Sequence, residues 1–229
     1  MNEYMNKVFF FWPNIIGYLR VGLYAGSFFA HSLGHWIGCA SLYSLGFILD
    51  EFDGRAAQFF DQRTQFGAAL DMVTDRAASA GLCVILAQLY PACTLPFIFL
   101  IGLDLGSHYY LLYATALVGH RNHKESATWS RNWLLNLYYG NKPFMDLLIV
   151  GSECFYIFLY LGRYASSSNL LFLSLFPDEK LDIWQLFLLV CSPIYLLKQA
   201  TNIAQLYSSA EKISAIDLTM REMKADEQK

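Results

Sequence analysis

The stretch Asp50-Glu51-Phe52-Asp53-Gly54-Arg55-Ala56-Ala57-Gln58, followed by Gly67, Asp71 and Asp75, sets four carboxylates inside a strongly apolar sequence. A helix turns about 100° per residue, so Asp50 and Asp53 (i, i+3) share one helical face and Asp71 and Asp75 (i, i+4) share another. Two such faces brought together make a tetra-carboxylate cluster. That concentration of negative charge repels itself strongly in a low-dielectric setting, so protons or divalent cations must complete it. Ligation by oxygen alone points to Mg²⁺ or Mn²⁺ rather than zinc.

Composition places the cluster in a membrane. The chain has 229 residues, of which 55% are hydrophobic, 17% aromatic and only 15% charged, and its formal net charge is -3. A soluble domain averages about 25% charged residues, so much of this surface is expected to face lipid. Apolar stretches near the length of a bilayer span, about 20 residues, are read at about 14–33, 37–53, 67–90, 96–118, 143–164 and 182–206. The expected fold class is all-α, a polytopic membrane protein with about six transmembrane helices, because irregular backbone does not survive against lipid. Residues 1–208 are expected to form the membrane domain and 209–229 a cytosolic C-terminal extension. In that extension Ile213, Ile216 and Met220 are spaced like one weak helical face, with fraying expected after about Met223. The run Phe9-Phe10-Phe11-Trp12 reads as an interfacial lead-in to the first span, which Pro13 opens.

Basic residues set the orientation. With the N-terminus inside, the inside segments hold Lys7, Arg55, Arg63, Arg121, Lys124, Arg131, Lys142, Lys212, Arg221, Lys224 and Lys229, whereas the outside loops hold only Arg163 and Lys180. The positive-inside rule therefore puts both termini, the 54–66 loop and the 119–142 loop in the cytosol. Arg20, Arg76 and Lys198 fall within spans. Cys39, Cys83, Cys93, Cys154 and Cys191 stand singly in apolar segments, which suits small packed hydrophobes rather than a disulfide framework or a zinc site. Gly17, Gly22 and Gly26 offer a close helix contact.

The segment between the two carboxylate pairs, Gly54 to Phe66, is polar and bracketed by glycines. Gly54 and Gly67 let a bulky ligand approach the backbone, an arrangement that suits a diphosphate held between metal ions and main chain.

The pattern Asp50, two residues, Asp53-Gly54, two residues, Ala57, then Gly67, Asp71 and Asp75 resembles the signature of the CDP-alcohol phosphatidyltransferase superfamily. Within it, Pro13-Asn14-Ile15-Ile16-Gly17-Tyr18-Leu19-Arg20, Leu89-Tyr90-Pro91, Asp104 with Ser107-His108, His123-Lys124, and Tyr138-Tyr139 with Lys142-Pro143 resemble the eukaryotic phosphatidylinositol synthases in matching order, over about Phe9 to Leu206.

That resemblance implies transfer of the phosphatidyl group from CDP-diacylglycerol to myo-inositol with release of CMP. It implies Asp50, Asp53, Asp71 and Asp75 as ligands of Mg²⁺ or Mn²⁺, and Asp75 as general base on the attacking hydroxyl. Gly54, Ala57 and Gly67 would line the CDP pocket, with Gln58, Arg55 and Arg63 as further CDP-diacylglycerol-binding positions. For a eukaryotic member it also implies the endoplasmic reticulum membrane and often a homodimer. No nucleic-acid partner is expected.

Gln58 departs from the superfamily pattern, which has Arg there; Arg55, three residues earlier on the same face, is a candidate for the missing charge. Asp104, Ser107 and His108 lie deep in the fourth span, where ionisable groups face a cavity or a partner; they read as a structural interhelical hydrogen bond or, on the family resemblance, as part of the inositol pocket. Glu153 is expected in a structural pairing. Asn14 reads as a helix cap and Arg20 as a snorkelling residue, with phosphate contact the alternative for both. Lys124 and Lys142 read as ordinary loop cations or as contacts to acceptor or headgroups. Two rival functions stand beside the main one. A superfamily member using glycerol phosphate or an inositol phosphate would need extra cations for its acceptor, and a divalent-cation transporter would string its carboxylates along a midplane pathway.

Overall fold

The computed structural model describes residues 7–118, 132–165 and 183–227, and its elements are helical throughout those residues. Among the described residues seven α-helices carry the fold: α1 (Trp12–Ser32), α2 (Trp36–Phe59), α3 (Gln65–Leu89), α4 (Thr94–Val118), α5 (Trp133–Gly140), α6 (Lys142–Ala165) and α7 (Ile183–Glu227), with a 3₁₀ turn at Pro91–Cys93. Their boundaries come from local chemistry. Pro13 sits in the first turn of α1, where its missing N–H costs nothing. Gly34 reverses the chain after α1 with φ 79°, a conformation closed to most side chains. Thr64 caps α3 by accepting a 2.9 Å bond from the Gly67 N–H. Pro91, which opens the 3₁₀ turn, prevents α3 from continuing past Tyr90.

The burial pattern inverts that of a soluble protein. Exposed positions carry Leu19 and Phe29 on α1, Ile48 and Phe52 on α2, Phe99 on α4, and Val190, Leu196 and Ile203 on α7. Buried positions carry Asn14, Arg20, Ser27, Asp53, Ser107, Lys198, Asn202 and Gln205. An apolar exterior around a polar interior is the arrangement lipid demands. Three helical stretches, Pro91–Leu117, Lys142–Ala165 and Ile183–Asp226, are long and apolar enough to cross a membrane, with mean hydropathies of 1.4, 1.7 and 1.3. The other three segments expected to span, now α1 to α3, also fold as long helices. Their apolar character is diluted by the polar side chains of the site, among them Arg20 and the four aspartates.

The chain divides into two compact units. The first gathers the described residues of Met1–Phe97 and Tyr156–Leu188. Its core holds Tyr24, Cys39, Tyr43, Ala78, Leu82, Cys83 and Leu86, with the Tyr24 and Tyr43 rings 5.1 Å apart. The Ser27 hydroxyl donates to the Cys39 carbonyl at 2.8 Å, and the Tyr90 hydroxyl donates to the Leu159 carbonyl at 2.8 Å. All five cysteines are free, and Cys39, Cys83 and Cys191 are buried.

The second unit comprises the described residues of Ile98–Phe155 and Leu189–Lys229. A polar stripe of α7 is buried there: Lys198, Thr201, Asn202, Gln205, Ser208 and Ser209, spaced as one helical face. Tyr139 donates to Gln205 Oε1 at 2.6 Å. The Phe155 and Tyr195 rings stack at 4.2 Å.

Several local expectations are corrected. α2 runs past Gly54 to Phe59, because Arg55, Ala56, Ala57 and Gln58 are good helix formers, so the expected loop shrinks to the turn before Thr64. Residues 133–140, expected in a cytosolic loop, form α5: Asn132 Oδ1 accepts from the Leu134 N–H at 3.0 Å, and Leu134, Leu135 and Tyr138 are buried. The 209–229 extension begins within α7, which continues unbroken to Glu227. Of the three glycines read as a contact stripe, a Cβ at Gly17 would come 2.9 Å from Leu70, one at Gly26 would make an ordinary 3.5 Å contact with Leu42, and one at Gly22 would meet open space. Arg121, His123, Lys124, Arg131 and Lys180 lie outside the described residues.

Within the second unit α6 and α7 meet closely at Gly151, where a Cβ would overlap Ile194 Cγ2 and stand 3.1 Å from its Cβ. Ile194 is β-branched and cannot turn away. Gly151→Ala is therefore expected to lower the thermal midpoint in detergent by an overpacking penalty of about 1–3 kcal/mol, with part of the loss recovered when Ile194→Leu removes the branch. A midpoint unchanged in Gly151→Ala would show that the helices separate freely there.

Candidate active site

α1 builds one side of the site from a single stripe. Asn14, Gly17, Arg20, Tyr24 and Ser27 recur every three or four residues and are all buried. Gly17 admits the Leu70 side chain of α3 against the α1 backbone, and this close approach carries Arg20, one turn further on, into the space between α2 and α3. Asp50 and Asp53 enter from α2, Asp71 and Asp75 from α3.

The Arg20 guanidinium is the centre of the group and its side chain is fully buried. Nη1 donates to Asp53 Oδ2 at 2.5 Å and to Asp71 Oδ1 at 2.7 Å. Nη2 pairs with Asp50 Oδ1 at 2.7 Å and donates to Asp75 Oδ1. Arg76 Nη2 stands 3.6 Å from the other oxygen of Asp75. The expected tetra-carboxylate cluster thus forms, and a cation from the chain itself stands in it. Of the readings offered for Arg20, snorkelling is not what the structure shows: the buried guanidinium turns inward onto the four carboxylates.

The residues fit a divalent cation. Asp50, Asp53 and Asp71 each offer one carboxylate oxygen, all within 4.8 Å of one another. Opposed oxygens on one Mg²⁺ stand about 4.2 Å apart, twice the Mg–O distance, so small side-chain rotations would let these three share an ion. The donors are hard oxygens, as that ion requires.

Beside the cluster lies an open cavity of about 250 Å³, lined by Asn14, Asp53, Gly54, Ala57, Arg63, Gly67 and Asp71 among others. A Cβ at Gly54 would meet nothing within 4 Å, leaving that stretch of α2 open to a ligand. Gly67 is required for a different reason from the one expected: a Cβ there would come 2.8 Å from Asn14 Oδ1 and 3.1 Å from Thr64 Oγ1. Of the three positions expected to contact CDP-diacylglycerol besides the pocket residues, Arg63 lines the cavity while Arg55 and Gln58 are absent from its lining. Arg55 is instead exposed and paired with Glu51 at 3.0 Å, a helical i, i+4 contact.

Asn14 does not cap α1. Its Nδ2 donates to the Val8 carbonyl at 2.6 Å, while Oδ1 is buried at the cavity wall without a hydrogen-bond partner. Trp12 N–H donates to Gln62 Oε1 at 3.0 Å, tying the start of α1 to the turn that precedes α3. Gln62, Thr64 and the central role of Arg20 were not singled out by sequence reasoning. The signal available was the three-residue spacing of Asn14, Gly17 and Arg20.

Asp104, Ser107 and His108 belong to the second unit. Ser107 Oγ donates to the Asp104 carbonyl at 3.0 Å, His108 Nδ1 stands 3.6 Å from Asp104 Oδ1, and Asn202 Nδ2 reaches Asp104 Oδ1 at 3.5 Å. Lys198 Nζ donates to Asn202 Oδ1 at 2.5 Å. The carboxylate and imidazole expected deep in the fourth span are therefore half-buried members of a polar network that α7 completes.

Comparison with known proteins accords with this site. The family model described as CDP-alcohol phosphatidyltransferase matches residues 10–210. The chain is 36% identical over 223 residues to the CDP-diacylglycerol–inositol 3-phosphatidyltransferase of Schizosaccharomyces pombe, covering 94% of this chain and 93% of that protein. The protein of the same name from Homo sapiens is 36% identical over 218 residues, covering 95% and 98%, and that from Saccharomyces cerevisiae is 35% identical over 203 residues, covering 89% and 86%. No solved structure gives a significant match. With a family match across most of its length and a four-aspartate cluster at the matching motif, the chain belongs to the CDP-alcohol phosphatidyltransferase family.

Proposed function

We propose that this membrane enzyme transfers the phosphatidyl group from CDP-diacylglycerol to myo-inositol, forming phosphatidylinositol and CMP. The observation that carries the reading is the convergence of Asp50, Asp53, Asp71 and Asp75 on one seat beside a cavity walled by Gly54, Ala57 and Gly67. The names of the relatives supply the acceptor.

Asp50, Asp53 and Asp71 would hold Mg²⁺ or Mn²⁺, with Asp75 completing the set. An ion held by these carboxylates would supply positive charge for the phosphate oxygens and ease the departure of CMP. Arg63, exposed at the cavity, would meet the diphosphate. Asp75 takes the proton of the attacking inositol hydroxyl while that hydroxyl oxygen forms the new bond to the phosphatidyl phosphorus. The P–O bond to CMP breaks, and CMP leaves with the electron pair. The alcohol needs this help because its own pKa is far above neutrality. Asp104, Ser107 and His108 are read as acceptor-binding residues; their hydroxyl, carboxylate and imidazole suit an uncharged polyol better than a glycerol or inositol phosphate. The distribution of Lys and Arg supports a site and termini facing the cytosol, and the reading places the protein in the endoplasmic reticulum membrane.

The direct test supplies the purified chain in lipid vesicles with CDP-diacylglycerol and a panel of alcohols. CMP release is expected with myo-inositol and not with glycerol 3-phosphate or inositol phosphate; release driven by either phosphate would replace this reading. Asp71→Asn is expected to abolish turnover, and near-normal rate with full metal dependence would remove Asp71 from the site. Asp75→Asn should retain CDP-diacylglycerol binding while slowing the chemical step by about 10²- to 10⁴-fold. Equal loss of binding would make Asp75 chiefly a ligand.

The two arginines near the motif separate the cavity wall from the outer face of α2. Arg63→Ala should raise the Michaelis constant for CDP-diacylglycerol about two- to fivefold, the scale of a partly screened charge contact. Arg55→Ala should leave it unchanged, since Arg55 pairs with Glu51. The reverse pattern would place Arg55 on the phosphates after all.

A further inference from the structure

One guanidinium occupies the place a divalent cation would take. Asp50, Asp53 and Asp71, the residues whose oxygens lie close enough to share a metal, are the same ones that Arg20 already engages, and Asp75 is the fourth. Arg20 is wholly buried, and its Nε has no acceptor. Its guanidinium is thus held through the carboxylates. Four carboxylates facing one another would spread apart, and a planar fork with donors on both ends holds them in register better than a point charge can. Yet one positive charge leaves four negative ones far from balanced, and the Arg76 guanidinium stands 3.6 Å from Asp75.

We propose that Arg20 is the placeholder of the cation seat. It keeps the four carboxylates together in the metal-free protein and competes with the incoming divalent cation for them, so that loading requires the guanidinium to give way. The inference rests on reading the cluster as a cation site. A guanidinium and a divalent cation repel each other and call on the same carboxylate oxygens. A guanidinium released in a buried place needs another anion, and the diphosphate oxygens that a divalent cation gathers supply one. A purely structural arginine makes the opposite prediction: removing it would loosen the carboxylates and weaken metal binding.

The test measures Mn²⁺ binding by electron paramagnetic resonance on the full chain, stripped of metal and held in nanodiscs. The proteins compared are the wild type, Arg20→Gln, Arg20→Lys and Asp71→Asn, and thermal midpoints are followed with and without Mn²⁺. Arg20→Gln is expected to bind Mn²⁺ about tenfold more tightly or better, since it removes the competing charge and keeps all four carboxylates. Its metal-free midpoint should fall, and Mn²⁺ should raise that midpoint by more than in the wild type. Arg20→Lys keeps the charge but loses the fork, so it should fall between the two; it also reads the effect if Arg20→Gln is too unstable to purify without metal. Mn²⁺ affinity equal to or weaker than wild type in these variants would overturn the proposal. Asp71→Asn separates the placeholder role from the cation site beneath it: it should weaken Mn²⁺ binding, and binding unchanged by it would overturn the cation-site reading itself along with what rests on it.

Discussion

Mutual repulsion of four carboxylates is the constraint on which the rest of the structure depends. Asp50, Asp53, Asp71 and Asp75 are drawn to one point in a chain whose exterior is apolar, and something positive has to stand among them. In the structure that charge is Arg20. Its delivery explains features that otherwise look unrelated: Pro13 opening α1 at the right place, Gly17 bare against Leu70, and Thr64 capping α3 so that its first turn presents Gly67 beneath Asn14. Each sets the height or approach of α1 against α3, and a helix displaced by one turn, about 5.4 Å, would take the guanidinium out of reach.

The same inversion of polarity governs the second unit. Hydrophobic burial does little to hold helices together when their outer surfaces already lie in lipid, so close packing and interhelical hydrogen bonds take over. Gly151 against Ile194 supplies the first, and the chain from Lys198 through Asn202 to Asp104 supplies the second. Buried polar groups of this kind are costly unless paired, which ties the fold of α4 and α7 to the side chains that the proposed chemistry assigns to the acceptor.

What the sequence made legible was periodic. The i, i+3 and i, i+4 spacing of the aspartates is enough to assign their faces, and apolar runs located six long helices. Non-periodic facts were hidden. An arginine one to two turns inside a span reads equally as snorkelling, and only the packing of α1 against α3 shows that it turns inward. The polar stretch from Gly54 to Phe66 read as a loop, yet Arg55, Ala56, Ala57 and Gln58 carry α2 on to Phe59. Gly67 was read as room for a ligand; it does line the cavity, and its missing side chain also makes room for Asn14 and Thr64. Arg55 was a candidate for the missing charge by its spacing from Gln58; its exposed pairing with the i, i+4 residue Glu51 was not weighed. The polar stripe from Lys198 to Ser209 was legible in principle, since its spacing is helical, but the apolar residues between its members obscured it.

Locating the ion itself tests the central claim most directly. An anomalous-difference map from crystals of the chain grown with Mn²⁺ and CDP should show a peak bounded by carboxylate oxygens of Asp50, Asp53 and Asp71 at about 2.1 Å, near the value for small octahedral cations, with the Arg20 guanidinium moved off them. A map with no peak among these carboxylates, and Arg20 still paired to all four, would contradict it.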